Sequence, residues 1–228
     1  MPTRHFTPAF FEFFEELARN NNREWFQRNK HRYESQVRDA MLGFLADLAP
    51  RLRKLSKYYV ADPRPSGGSM FRIYRNLRFS RDKTPYKTNA AAAIHHSSTG
   101  GWPSPAFYIS LSPDEIFGGV GIWHPDADTL RKIRDAIVAR PTAWKKASGD
   151  REFTRQFELM GKSLSRPPKG YDPEHRLIGD LKRKDFVAGR DFTRTEACSA
   201  RFIDSFAGAC AASVPFVRFL TEAVGLKW

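Results

Sequence analysis

Between Arg72 and Lys87 the chain reads RIYRNLRFSRDKTPYK: six cationic side chains and two tyrosines against one carboxylate, Asp82. Arg72, Arg75, Arg78 and Arg81 recur at every third position. A planar guanidinium grips a phosphate or carboxylate through two parallel hydrogen bonds, and a lysine adds a point charge. The chemistry open to such a run is anion binding. A straight strand sends alternate side chains to opposite faces, so Arg72 and Arg78 would share one face and Arg75 the other. A turn near Ser80 would instead let Arg78, Arg81, Lys83 and Lys87 converge. In that arrangement Arg75 and Arg78 make bidentate contacts, Lys83 and Lys87 supply charge, and Tyr86 lines the site. The competing reading is that the arginines brace the loop by salt bridges, with Asp82 as the local partner.

Tyr74, Tyr86 and Trp102 lie near these cations in sequence. Aromatics interleaved with basic residues can stack nucleobases, and they equally suit a core or a hairpin. No helix-turn-helix, ribonucleoprotein motif or zinc finger is recognisable. His95, His96, His124 and Asp126 could form a carboxylate–histidine metal site, but no His-x-x-x-His or cysteine cluster supports one, and no metal or cofactor is expected. The sequence has no Gly-x-Ser-x-Gly elbow, and GGVG at 118–121 lacks the Gly-Lys-Ser/Thr of a phosphate loop. Cys198 and Cys210 read as reduced thiols on an amphipathic helix. No catalytic residue is named by the sequence.

The elements that must position these residues follow from periodicity. Thr7 is a candidate N-cap with Pro8 as the first helical residue. Phe10, Phe13, Phe14 and Leu17 make one apolar stripe behind it. Asn20-Asn21-Asn22 ends that helix, a second starts near Arg23 with Trp25 and Phe26, and a longer one carries Val37, Met41, Phe44, Leu45 and Leu48. Pro50 is expected to end or kink it. Residues 62–68 are a loop, MFRIYR from 70 reads as a strand, and 90–96 suits a strand or a helix.

Phe107, Ile109 and Leu111 alternate with Ala106, Tyr108 and Ser110, which predicts a half-buried strand. Residues 116–123 return as its antiparallel partner. The glycines of that strand suggest a bulge or a close backbone approach. A helix follows, capped by Asp126 or Asp128, with Leu130, Ile133, Ile137 and Val138 on one side. Pro141 opens another short helix, 150–165 is ambiguous, and SRPPKGYDPEH is a loop. A short helix at 174–183 and a strand DFVAGRDF lead to C-terminal helices interrupted at Pro215.

Four segments, NNREWFQRNKHRY at 21–33, FRIYRNLRFSRDKTPYKT at 71–88, GGVGIWHP with LRKIRDAI after it, and PPKGYDPEH at 167–175, occur in that order. Together they resemble the conserved-hypothetical family catalogued as domain of unknown function 2461, over nearly the whole chain. The resemblance implies one α+β domain and a cytoplasmic bacterial protein, and it implies no activity. The family usually carries Asp where this chain has Asn76, and tends to have His where it has Asn89. Asn hydrogen-bonds but neither titrates nor holds a hard cation well, which counts against catalysis at position 76.

The 228 residues suffice for a real core, and 41% hydrophobic content with nineteen phenylalanines argues against disorder. The expected fold is α+β: a single domain over 1–228, an antiparallel sheet of about four to six strands, and helices before and after it. Thirty-eight Lys and Arg against 25 Asp and Glu give a net charge of +13, which draws polyanions, although Arg-rich chains can run basic for no functional reason. No stretch approaches the roughly 20 apolar residues of a membrane span, and no secretory leader is legible, so no membrane partner and a cytoplasmic location are expected. The leading expectation is binding of a phosphate-bearing ligand or nucleic acid through Arg72–Lys87. The alternatives are an enzyme on a phosphorylated or carboxylated substrate and a protein-interaction module. The sequence does not give the oligomeric state.

Overall fold

The computed structural model describes residues 3–78, 80–100 and 104–228; Trp102 lies outside them. Helices α1 (Pro8–Arg19), α2 (Arg23–Arg32) and α3 (Asp39–Leu55) come first, with a π-helical turn, Tyr33–Arg38, fusing α2 to α3. Thr7 stands at the N-cap of α1 in extended conformation, with Pro8 in the first turn. Phe10, Phe13, Phe14 and Leu17 are fully buried, as the stripe predicts. Phe11 is buried too, within the core cluster and 5.1 Å from the Phe10 ring, with the Arg194 guanidinium 4.9 Å from its ring centroid. Asn22 caps α2 by accepting the Trp25 N–H. Pro50 does not end α3: the helix continues to Leu55, and Leu52 in the added turn is fully buried. That burial, about 1.5–3 kcal/mol for a leucine, offsets the hydrogen bond that proline removes.

The sheet has five strands, all antiparallel, in the order β1-β2-β3-β5-β4. They are β1 (Ala90–His95), β2 (Ala106–Leu111), β3 (Ile116–Ile122), β4 (Glu158–Met160) and β5 (Phe186–Phe192). The alanine run of β1 is thus a strand, paired residue for residue with β2. MFRIYR is extended but not a regular strand. It pairs through single bridges, Met70 with Ala92 and Tyr74 with Tyr86, and the register slips between them. Gly121 has φ +109, and a Cβ there would collide with the Phe186 carbonyl oxygen, so the close approach expected of the β3 glycines is real.

Between β3 and β4 lie α4 (Ala127–Ala139), α5 (Pro141–Ser148) and α6 (Arg151–Gln156); α7 (Ile178–Leu181) and α8 (Arg194–Ala197) flank β5. The Asp126 side chain caps α4 by accepting the Thr129 N–H. Ile133 and Ile137 line its buried side, but Val138 is exposed. One step of 100° beyond Ile137 turns Val138 outward. Arg134 takes the inner position, donating from Nε to the Leu181 carbonyl at 2.7 Å and from Nη2 to the Arg183 carbonyl at 3.0 Å. The chain closes with α9 (Phe202–Ala212) and α10 (Val214–Ala223), which break at Ser213 because Pro215 falls in the first turn of α10. Cys210 is buried in α9, while Cys198 is half-buried at the end of α8, so the two do not share one helix; both are free thiols.

Helices and one face of the sheet enclose the core. Ala92 and Ile94 of β1, Phe107, Ile109 and Leu111 of β2, and Val120 and Ile122 of β3 face it. Phe44 of α3 stacks on Phe202 of α9 at 5.8 Å and meets Phe6 at 5.2 Å. Among the described residues no single helix is long and apolar enough to cross a membrane.

Candidate functional site

The quoted segment folds as an irregular hairpin. The Lys87 N–H donates to the Ile73 carbonyl at 2.8 Å, and the Arg75 N–H to the Pro85 carbonyl at 3.0 Å. Asn21, the middle one of the three residues between α1 and α2, anchors this hairpin. Its Nδ2 donates to the Tyr86 carbonyl at 3.0 Å and its Oδ1 accepts the Tyr86 N–H at 3.1 Å. The side-chain amide thus acts as one residue of a neighbouring strand. The Tyr86 ring stacks on Phe26 of α2 with centroids 4.1 Å apart, and Tyr86 is only 2% exposed. Burial raises its phenol above the ordinary tyrosine value, with Tyr74 adding and Arg23 opposing.

A cleft of about 340 Å³ lies between α2 and the hairpin, lined by Arg23, Gln27, Tyr74, Arg75, Pro85 and Tyr86. Arg75 is fixed beside it. Its Nη1 donates to the Asp82 carboxylate and to Thr84 Oγ1, and its Nη2 reaches Ser80 Oγ at 3.4 Å. Asp82 also accepts the Thr84 N–H at 2.9 Å. That backbone bond, with Arg75 second, holds the Asp82 carboxyl at about 2. Asp82 is therefore the local brace for Arg75, and no protein acceptor meets Arg75 Nε among the described residues.

The other cations distribute along the hairpin. Lys83 Nζ donates to the Leu77 carbonyl at 3.2 Å within the loop. Arg78 joins the turn through its N–H, which Asn76 Oδ1 accepts at 3.2 Å. An aspartate at 76 would accept that bond equally well, so the departure from the family pattern leaves the turn intact. Arg81 is exposed. Lys87 lies at the stem, its Nζ 5.4 Å from the Phe71 ring centroid. Burial lowers the Lys87 ammonium below its usual value, and the like charge of Arg72 adds to this. Arg75 and Tyr86 thus meet at the α2 cleft, Lys83 binds into the loop, and Arg72 and Lys87 sit on the sheet side. Lys83 and Lys87 do not share one point.

Asn21 and Arg23 entered the sequence reading only as a helix end and a helix start, and Gln27 not at all; none was named for the site. For Arg23 and Gln27 the available signal was their i, i+4 spacing, which puts both on one face of α2.

The histidines do different work. His96 is buried; its Nε2 lies 2.8 Å from the Lys227 carbonyl and its Nδ1 accepts the Ser98 N–H. The His124 N–H donates to buried Asp185 at 2.9 Å, and Asp126 is spent on capping α4. Among the described residues no group of three or more His, Cys, Asp or Glu is placed to hold a metal ion. Burial lowers the His95 imidazole below its usual value.

Compared with known families, the chain matches the model of the conserved hypothetical protein family DUF2461 over residues 9–219. A comparison with curated proteins finds no match.

Proposed function

Since the chain belongs to the conserved hypothetical family DUF2461, whose description assigns no reaction, we propose from the geometry that the hairpin Arg72–Lys87 binds a phosphate-bearing ligand. The observation that carries this reading is the cleft between α2 and the hairpin, where Arg23 and Arg75 meet two tyrosines. Arg75 is immobilised by Asp82 and Thr84 before any ligand arrives. A preorganised guanidinium loses less rotamer freedom on binding than a floppy one. Tyr74, 49% exposed, offers an aromatic edge at the same opening. Arg78, Arg81, Lys83, Arg72 and Lys87 extend the positive field along the hairpin, so the phosphates of a longer chain would find contacts beyond the cleft. Asp82 offsets part of that charge at Arg75. The cleft itself is lined by no carboxylate or histidine, so the binding reading stands ahead of the enzymatic one.

The test is a titration of pyrophosphate and of labelled oligonucleotides across a salt series. The intact protein is compared with Arg23→Ala and with Arg78→Ala/Lys83→Ala/Lys87→Ala. Pyrophosphate should weaken at least about tenfold in Arg23→Ala, given roughly 1.5–3 kcal/mol for a charged hydrogen bond. The triple variant should flatten the oligonucleotide salt slope by about two to three units. Unchanged affinities in both variants would refute the site.

A further inference from the structure

The face of the sheet turned away from the core carries its own row of side chains. Ala91, Ala93 and Ala106 are 6, 8 and 8% exposed, yet none joins the core cluster. Strand alternation places them on the opposite face, with Tyr108 and Ser110 of β2 and with Phe117, Gly119 and Gly121 of β3. Aromatic rings share this face. Phe71, beside Ala91 in the hairpin stem, has its ring centroid 6.4 Å from Tyr108, and Tyr108 lies 6.2 Å from Phe117. The Phe117 ring lies across two glycines paired on neighbouring strands, Gly119 and Gly189. A Cβ at Gly119 would stand 2.9 Å from that ring, and one at Gly189 would run into it. Small residues beneath thus let large rings lie over the backbone. Phe71 is 43% exposed, an unusual setting for a phenylalanine.

The row begins at the cationic stem. Lys87 lies against Phe71 with Arg72 near it, and among the described residues neither cation pairs with a carboxylate. At the far end stand two carboxylates, Asp191 paired with Phe117 and Glu158 paired with Gly189. The row therefore runs from positive to negative over about three rings.

We propose that this face binds a short stretch of single-stranded nucleic acid, with bases stacking on Phe71, Tyr108 and Phe117 and phosphates held by Arg72 and Lys87. The inference rests on the phosphate-binding reading of the hairpin and adds the class of ligand. Ring spacing selects the single strand. Stacked bases in a duplex rise about 3.4 Å per step, roughly half the 6.4 and 6.2 Å between these rings. An extended strand with unstacked bases can set one base on each ring, as aromatic residues on open sheets do for single strands. A second copy of the chain is disfavoured as the occupant, because each copy carries +13. Asp191 and Glu158 repel phosphates and limit the site at that end.

The experiment measures anisotropy of a labelled twelve-nucleotide poly-dT strand and of a duplex of equal length, with pyrophosphate binding followed in parallel. Phe71→Leu, Tyr108→Leu and the double variant keep the alanines covered while removing the rings, and thermal melts check folding. The intact protein should prefer the single strand. Each leucine should weaken it about fivefold or more, with duplex and pyrophosphate affinities unchanged. Equal affinity for strand and duplex, or a double variant that binds the strand as before, overturns the inference and leaves the hairpin reading in place. So does retained pyrophosphate binding with no strand binding. Loss of both ligands in the intact protein overturns both readings. Ultraviolet crosslinking of a 5-bromouracil strand needs no variant: crosslinks at Phe71, Tyr108 or Phe117 support the proposal, and crosslinks confined to residues 76–84 overturn it.

Discussion

Asn21→Ala should detach the candidate hairpin from α2 without dismantling the core. The Asn21 amide makes two hydrogen bonds to the Tyr86 backbone, at 3.0 and 3.1 Å, and both are partly buried. At about 1 kcal/mol each, their loss costs about 2 kcal/mol. For a chain of 228 residues, roughly 2–4 °C per kcal/mol puts the fall in melting temperature near 4–8 °C. The loss should be local first, because the Tyr86 ring still stacks on Phe26. Hydrogen exchange separates the two levels. The Arg75 and Lys87 amides, which close the hairpin, should exchange about 30-fold faster, the equivalent of 2 kcal/mol. Amides in β2 and β3 should slow or quicken only with the global change. Pyrophosphate affinity should drop as the cleft wall loosens. Melting and exchange at Arg75 and Lys87 unchanged from the parent would refute the role given to Asn21.

Three further outcomes follow from the geometry. Gly121→Ala should yield little folded protein or cost more than about 3 kcal/mol, because φ is +109 and the methyl meets the Phe186 carbonyl; a melting temperature within 2 °C of the parent would contradict this. Arg134→Met should cost about 2–4 kcal/mol in denaturant unfolding, because the Leu181 and Arg183 carbonyls lose their donor; a change below 1 kcal/mol would contradict it. The Asp82 carboxyl sits at about 2, below the ordinary aspartate value of 3.8, so its contribution is complete above about pH 4 and lost as pH falls through 2. The Thr84 amide resonance should titrate in that window, and Asp82→Asn should remove the titration.

The open-face aromatics and the cationic hairpin meet at one residue, Phe71, whose ring centroid lies 5.4 Å from Lys87 Nζ and 6.4 Å from the Tyr108 ring. That junction gives the small-ligand cleft and the proposed base-stacking row a shared boundary. Variants at Arg23 act on the first and variants at Tyr108 on the second, so the two can be separated in one titration series.

Local pattern determined much of this protein. The phenylalanine stripe of α1, the Asp126 cap of α4 and the alternation of β2 are readable because helix and strand periods act within a few residues. Asp82 as the brace of Arg75 was readable as well, being seven positions away. The order β3-β5-β4 was not, nor was the contact of Arg194 with the Phe11 ring, since both join segments far apart in sequence. The sequence placed six cations in one segment. Their division between the α2 cleft, the loop and the sheet side arose from the slipped register at Tyr74–Tyr86 and the amide of Asn21. Alternation likewise set Tyr108 opposite Phe107, Ile109 and Leu111, but only helix packing decided which of those two faces became the core and which was left open.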